Sequence, residues 1–242
     1  MYQVMWKEIN QFLNSFAAYV VIIVFLVATG LFAWVLPQTS ILGYGYANLE
    51  PLFNIAPYVF MFLIPAVTMR TFAEEKKSGT MELLLTRPIT DWQLILGKYF
   101  ACLLLVLFAL LPTLLYYLTV YNLGAPQGNI DSAAVIGSYM GLVMLASVFT
   151  AIGIVASSIT ESQIVAFILA MFFCYIMYEG FTSISAINVW AGYSYIVSQL
   201  GIDFHYRSIS RGLIDSRNLL YFFSVIIVML YLSRLSLSTR KW

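Results

Sequence analysis

Long apolar stretches separated by short polar ones dominate the pattern along the chain. Six of them are long enough to cross a bilayer as helices, which takes about 20 residues: 17–36, 53–70, 99–121, 133–158, 163–180 and 218–235. Before them, apolar residues from Tyr2 to Phe16 recur at steps of three and four opposite a polar face that includes Lys7. The pattern predicts an all-α, polytopic membrane protein with six transmembrane helices and an N-terminal interfacial helix over 1–16.

The composition agrees with this prediction and excludes several classes of protein. Apolar and aromatic residues make up 62% of the 242 residues and charged residues only 10%, against roughly 25% charged in soluble domains, which rules out a water-soluble enzyme. A net charge of +1 argues against nucleic acid as a partner. Cys102 and Cys174 lie in apolar stretches, where we expect reduced, packed thiols. His205, the sole histidine, is expected in an outer loop without a metal or haem partner.

The distribution of basic residues predicts the orientation, because Lys and Arg prefer the cytoplasmic side. With the N-terminus inside, nine of the 12 Lys and Arg residues fall on the inner side and three, Arg207, Arg211 and Arg217, on the outer side. We therefore expect both termini in the cytoplasm. Residues 181–217 then form an outer segment, of which 181–200 could dip into the bilayer and return.

The polar stretch 71–98 is the longest one between two spans. Glu74 to Gly79 is typical of a polar turn, and Thr80 to Leu85 of a short helix with an apolar side that ends at Pro88. Thr90-Asp91-Trp92-Gln93 has the spacing of a capping box and begins the next helix. A short helix of this kind could dock into a groove of a cytoplasmic partner or lie flat on the lipid surface, and the pattern alone leaves both open.

A nucleotide site is not encoded in the chain. The phosphate-binding pattern G-x-x-x-x-G-K-[ST] does not occur, since Gly97-Lys98 is followed by Tyr99 and Trp92 stands where the first glycine would be. We expect no enzymatic activity, no catalytic residue, and no cofactor or metal held by this chain. ATP hydrolysis, if it drives the protein, must occur on another polypeptide.

The run from Phe72 to Ile89, followed by Gly97-Lys98, resembles the Glu…Gly-Thr-x-Glu-x-Leu-Leu…Pro…Gly-Lys signature of ABC-2 type permeases. The closest subgroup is the gliding-motility permease GldF and its relatives, to which the stretch from His205 to Asp215 is also similar. The resemblance implies one transmembrane permease domain over 1–242 with a type V exporter-like fold and a re-entrant hairpin at 181–200. It also implies a bacterial cytoplasmic (inner) membrane location.

The resemblance further implies that 71–98 is a coupling region whose helix, Thr80 to Leu85, receives the motion of a separate ABC ATPase subunit that binds ATP and Mg. The implied ATPase-coupling residues are Glu74, Glu75, Gly79, Thr80, Met81, Glu82, Leu83, Leu84 and Leu85. The implied partners are that ATPase, a second permease copy or a sister permease, and the lipid bilayer.

Some residues in and beside the spans have two interpretations each. Glu179 is either an interfacial carboxylate paired with water or with Tyr175 or Tyr178, or a polar group at an outer gate. Arg211 and Asp215 are further candidates for the same gate or loop. The three outer arginines could hold an anionic head group or form ordinary salt bridges.

Two further patterns concern helix packing. Gly137 and Gly141 have the spacing of close helix packing. Pro65 and Pro112 are expected to kink their helices, either for packing alone or as part of a gate.

Other functions stay open at this stage. A structural or mechanical subunit of a motility or secretion assembly, without solute transport, would have the same spans. A secondary transporter usually has several charges at the bilayer midplane, for which Glu179 is a weak candidate.

Overall fold

A computed structural model describes residues 1–81, 89–186, 194–212 and 215–238, and these residues form helices joined by turns and loops. Within them, six helical stretches are long and apolar enough to cross a membrane. They are Phe16–Val35, Glu50–Lys77, Asp91–Leu123, Ser132–Ile159, Gln163–Ser185 and Ser216–Ser238. The predicted all-α fold and the predicted order of six spans are therefore confirmed.

The helices are numbered along the chain. Their bounds are α1 (Tyr2–Leu13), α2 (Phe16–Gly30, extended by a π-helical turn Leu31–Val35), α3 (Glu50–Thr68), α4 (Ala73–Lys77), α5 (Asp91–Leu110), α6 (Leu114–Leu123), α7 (Ser132–Ile159), α8 (Gln163–Tyr175, extended by a π-helical turn Ile176–Gly180), α9 (Phe181–Ser185), α10 (Ser194–Gln199), α11 (Ile202–Ser210) and α12 (Ser216–Ser238). The end of the bundle that holds α1, α4 and the start of α5 is called the proximal end. The opposite end, which holds α9 to α11 and the start of α7, is called the distal end.

Helix α7 forms the centre of the bundle. Of its most apolar 18-residue window, 83% is buried, compared with 22% in the first, fifth and sixth spans. It packs against α3, α8, α11 and α12. The first, fifth and sixth spans therefore leave most of their apolar surface for lipid.

Small residues allow the neighbours of α7 to approach closely. A Cβ atom at Gly153 would lie 2.1 Å from Oγ1 of Thr68 on α3, and one at Gly137 would lie 2.8 Å from Cα of Gly212. Gly141 faces the side chains of Ile209 and Tyr206 on α11. The close packing predicted at Gly137 and Gly141 is thus present, and its partner is α11 with the turn that follows it.

The two prolines expected to kink their helices behave differently. Helix α3 stays α-helical through Pro65, and also through Pro57. At Pro112 the third span changes to a 3-10 turn, Leu111–Thr113, between α5 and α6.

Two local predictions are wrong. Residues 73–77 form helix α4 rather than a polar turn, because Ala, Glu and Lys favour helix and only Gly79, with φ of 69°, takes the left-handed conformation that ends it. His205 lies on helix α11 and not in a loop, since Ile202, Tyr206 and Ile209 form a buried helical stripe that its polar neighbours conceal. Residues 187–193, within the segment 181–200 that is expected to form a re-entrant hairpin, lie outside the described residues.

Candidate functional site

Four charged side chains from three helices form an ion cluster at the proximal end. Lys98 of α5 places its Nζ atom 2.7 Å from Oε1 of Glu8 on α1 and 2.9 Å from Oε2 of Glu75 on α4. Lys7 of α1 lies 3.1 Å from Oε1 of Glu75. Two cations and two carboxylates balance, so the ion cluster has no net charge.

Lys98 is the centre of the ion cluster and is fully buried. Its ammonium group donates a further hydrogen bond of 2.6 Å to the carbonyl oxygen of Thr71 and lies 5.1 Å from the ring centroid of Phe72. A buried ammonium is stable only when its donors find acceptors and its charge finds a partner. The cluster therefore holds α1, α4 and α5 in one arrangement.

A second set of contacts fixes the residues before α4 to the central helix. The backbone N–H groups of Phe72 and Ala73 donate to Oγ of Ser157 on α7, at 3.0 and 3.1 Å, and that hydroxyl donates to the carbonyl of Met69. Nζ of Lys76 donates to the carbonyl of Ser158. These contacts satisfy the backbone where α3 ends, and they connect α4 to α7.

The residues expected to couple to an ATPase separate into three groups in the structure. Glu75 is buried in the ion cluster, and Met81 is buried as well. Glu74, Gly79 and Thr80 are more accessible, and Glu74 lies 4.0 Å from Arg70. Glu82, Leu83, Leu84 and Leu85 lie outside the described residues.

The chain re-enters the bundle through a capping box. Oγ1 of Thr90 accepts from the backbone N–H of Gln93 at 3.3 Å, and the Gln93 side chain accepts from the backbone N–H of Thr90 at 3.2 Å. This confirms the predicted helix start. The segment 78–90 therefore has a helix on each side, α4 before it and the capped start of α5 after it.

The distal candidates do not form one site. Glu179 is half-buried, in the π turn after α8, and accepts a hydrogen bond of 3.4 Å from the hydroxyl of Tyr58 on α3 rather than from Tyr175 or Tyr178. Asp215 caps the start of α12 by accepting from the backbone N–H of Arg217 at 3.0 Å. Arg211 lines a cavity of about 730 Å³ that Tyr58 also lines.

The described part of the chain contains no cluster of metal-binding side chains. Among the described residues, no three His, Cys, Asp or Glu side chains lie close enough together to hold a metal ion. Cys102 and Cys174 are free and buried, and His205 hydrogen-bonds to Oδ1 of Asn218 at 2.7 Å and to the carbonyl of Gln199.

Sequence reasoning missed the ion cluster. In the sequence, Lys7 and Lys98 are basic residues of the inner side, and Lys98 also ends the family signature. Glu75 belongs to the charged flank of the expected docking helix, and Glu8 has no predicted role. An available signal was Lys98 itself, a lysine at the start of an apolar stretch that needs a carboxylate partner if it is buried.

Comparison with known proteins identifies the family. The family model described as "ABC-2 family transporter protein" matches residues 2–242. None of the curated proteins matches the chain. Members of this family are membrane subunits that normally leave ATP hydrolysis to a separate ABC ATPase. With six membrane-spanning helices and a family match over nearly its whole length, the chain belongs to the ABC-2 transporter family as a multi-pass permease subunit.

Proposed function

We propose that this chain is the membrane-spanning subunit of an ATP-driven transporter that receives force from a separate ATPase through residues 71–98. The chain lies in the bacterial inner membrane with its proximal end and both termini in the cytoplasm. A second permease, either another copy or a sister chain, completes the transport path.

The observation that carries the proposal is the ion cluster. A force applied between Met81 and Ile89 acts on α4 and α5, the two helices on either side of that segment. Because Lys98 and Glu75 also pair with the side chains of α1, the three helices respond as one unit. Such a cluster suits a segment that must transmit movement to several helices without changing its own structure.

The contacts with α7 support the same function. Ser157 accepts from the backbone just before α4 and donates to the backbone at the end of α3. Displacement of α4 therefore acts directly on the central helix, which contacts most of the other spans. A surface helix that only rested on lipid would not require this connection.

The test reverses the chemistry of the segment in the full complex. Glu82→Lys and Leu84→Asp should reduce co-purification of the ATPase and its stimulation by the permease, while the amount of inserted permease stays normal. Glu161→Lys is the matched control, because Glu161 is an exposed carboxylate in the turn between α7 and α8 at the same end. Transport and ATPase binding at wild-type levels in both test variants would refute the assignment of the coupling segment.

A mechanical role in a gliding-motility complex is the second candidate, and the likeness of residues 205–215 to the GldF subgroup favours it. Such a subunit would bind the same ATPase but move no solute. Reconstituted vesicles distinguish the two roles, because ATP-dependent movement of an amphiphile supports transport, and ATPase coupling without any such movement supports the mechanical role.

A further inference from the structure

The distal end contains a cavity of about 730 Å³, within the range of small-molecule sites. Its walls come from the start of α3, the start of α7, Tyr178 and the end of α11. Polar and charged side chains line it, although it lies between membrane-spanning helices. The charged ones are Glu50, Asp131, Arg207 and Arg211.

Arg207 and Arg211 both line the cavity where the end of α11 forms its wall. Asp203, Arg207 and Arg211 are spaced four residues apart, so they share a face of α11 and its C-terminal turn. Nε of Arg207 donates to Oδ1 of the buried Asp203 at 2.7 Å, while 58% of the Arg207 side chain stays exposed. Arg211 is exposed and has no hydrogen-bond or ion-pair partner among the residues that the structure describes.

The charge on this side is permanent and is not fully neutralised. Arginine is not deprotonated in proteins, and the hydrogen bond to Asp203 raises the pKa of the Arg207 guanidinium above its ordinary value. Asp203 balances one of the two positive charges. One positive charge is left over at this wall of the cavity, and guanidinium groups can donate several hydrogen bonds to a tetrahedral oxyanion.

The arginines stand on a rigid support. Helix α11 is fixed to α3 by the hydroxyl of Tyr206, which donates to the carbonyl of Phe53 at 2.7 Å, and to α7 by Oγ of Ser138, which donates to the carbonyl of Ser210 at 2.6 Å. Gly212 follows with φ of 81° and packs against Gly137. The backbone positions of both arginines are therefore fixed before a ligand binds.

Two carboxylates line other parts of the cavity, and neither forms an ion pair with a residue in the described part of the chain. Glu50 accepts a hydrogen bond of 3.2 Å from the side-chain amide of Asn48. Asp131 accepts from the backbone N–H groups of Ala133 and Ala134 at the start of α7. A cavity with free guanidinium donors and unpaired carboxylates is complementary to a ligand that carries both charges.

We propose that this cavity binds the phosphorylated head group of an amphiphile, with the phosphate on Arg207 and Arg211 and an ammonium group toward Glu50 and Asp131. Apolar surface of the surrounding spans is available to the acyl chains. The role of the site in export or uptake rests on the proposed transport function, but binding itself needs neither ATP nor the ATPase.

The binding test uses the full chain in detergent micelles, without ATPase. The probe is a fluorescent phosphatidylethanolamine, compared with the matching diacylglycerol, which lacks the phosphate. We expect saturable binding of the phospholipid and a marked loss of affinity for the diacylglycerol. Soluble glycerophosphoethanolamine separates the two sources of this chemistry, since competition at similar concentration indicates a free head group as the ligand and much weaker competition indicates a lipid.

Arg211→Gln is the main variant because Arg211 is exposed and its replacement breaks no ion pair or hydrogen bond within the described part of the chain. Loss of charged hydrogen bonds should weaken phospholipid binding about tenfold or more. Arg217→Gln is the matched control, an exposed arginine at the same end that does not line the cavity, and it should bind like the wild type. Equal binding of phospholipid and diacylglycerol, or equal affinity of Arg211→Gln and Arg217→Gln, would overturn the proposal while leaving the ATPase-coupling function untouched.

Discussion

Removal of the Lys98 charge is the sharpest test of the ion cluster. Lys98→Met keeps an unbranched, flexible side chain in the buried site but eliminates three contacts of 2.6 to 2.9 Å. Glu8 and Glu75 then lie near each other with Lys7 as their remaining cation, 4.0 and 3.1 Å away. Breaking a buried ion pair by removing one partner costs about 3–5 kcal/mol, and we expect the free energy of unfolding to fall by that amount.

The assay is reversible unfolding in mixed micelles by added sodium dodecyl sulfate. Lys77→Met is the control, because Lys77 is an exposed lysine of α4 with no ion pair in the described part of the chain. It removes the same charge and should change the free energy of unfolding by no more than about 0.5 kcal/mol.

A rescue experiment distinguishes two causes of the lost stability, poorer packing and carboxylates left without a cation. If the cost comes from the two carboxylates that lose their partner, then Glu8→Gln and Glu75→Gln introduced together with Lys98→Met should restore most of the lost stability. The reasoning would be refuted if the triple variant lost as much free energy of unfolding as the three single variants added together. It would also be refuted if Lys98→Met were as stable as Lys77→Met.

Three more predictions concern packing, capping and orientation. Gly153→Ala places a Cβ atom 2.1 Å from Thr68 Oγ1 and should lower the free energy of unfolding by about 1–3 kcal/mol in the same assay. Gly180→Ala, where the nearest atom would be 3.4 Å away, is the control. Equal stability of the two variants would contradict the packing. Thr90→Ala removes the side-chain cap of α5 and should destabilise the start of that helix by about 1 kcal/mol. The loss is measured as faster amide hydrogen exchange in the first turn of α5. Thr119→Ala, at an exposed helical site, should leave that exchange unchanged. In a Cys102→Ala, Cys174→Ala background, an impermeant maleimide should label Lys77→Cys from the cytoplasmic face and Gln127→Cys from the opposite face, and the reverse pattern disproves the orientation.

The features that sequence predicts well are those that depend on neighbours along the chain. Six spans follow from apolar length, the capping box from the three-residue spacing of Thr90 and Gln93, and the close approach at Gly137 and Gly141 from their four-residue spacing. Helix α4 follows the same local logic, but its charged residues were interpreted as a turn. The apolar stripe of Ile202, Tyr206 and Ile209 on α11 follows the same three- and four-residue spacing, but polar neighbours conceal it in the sequence.

The features that sequence does not predict are pairs distant along the chain. Glu8 and Lys98 are 90 residues apart, and Tyr58 and Glu179 are 121 apart. One sequence shows that each of these groups needs a partner but does not indicate which residue provides it. The cavity at the distal end is likewise formed by parts of α3, α7 and α11 and by the π turn after α8, and only the assembled bundle brings Arg211 into the same cavity as Glu50 and Asp131.

Helix α7 contacts both proposed sites. Ser157 near its end holds the backbone before α4, and Gly137, 20 residues earlier and so about 30 Å away along the axis, packs on the turn that carries Arg211. Gly137→Ala would place a Cβ atom 2.8 Å from a backbone atom of Gly212, which cannot move aside without shifting the end of α11. We therefore expect Gly137→Ala to bind phospholipid less tightly. Lys98→Met should lower the free energy of unfolding by the same amount with or without Gly137→Ala. Gly43→Ala, where the added Cβ atom would lie 3.5 Å from its nearest neighbour, should change neither result. Unaltered affinity in Gly137→Ala would show that the position of the arginines does not depend on this contact, and the proposed role of α7 in positioning them would have to be abandoned.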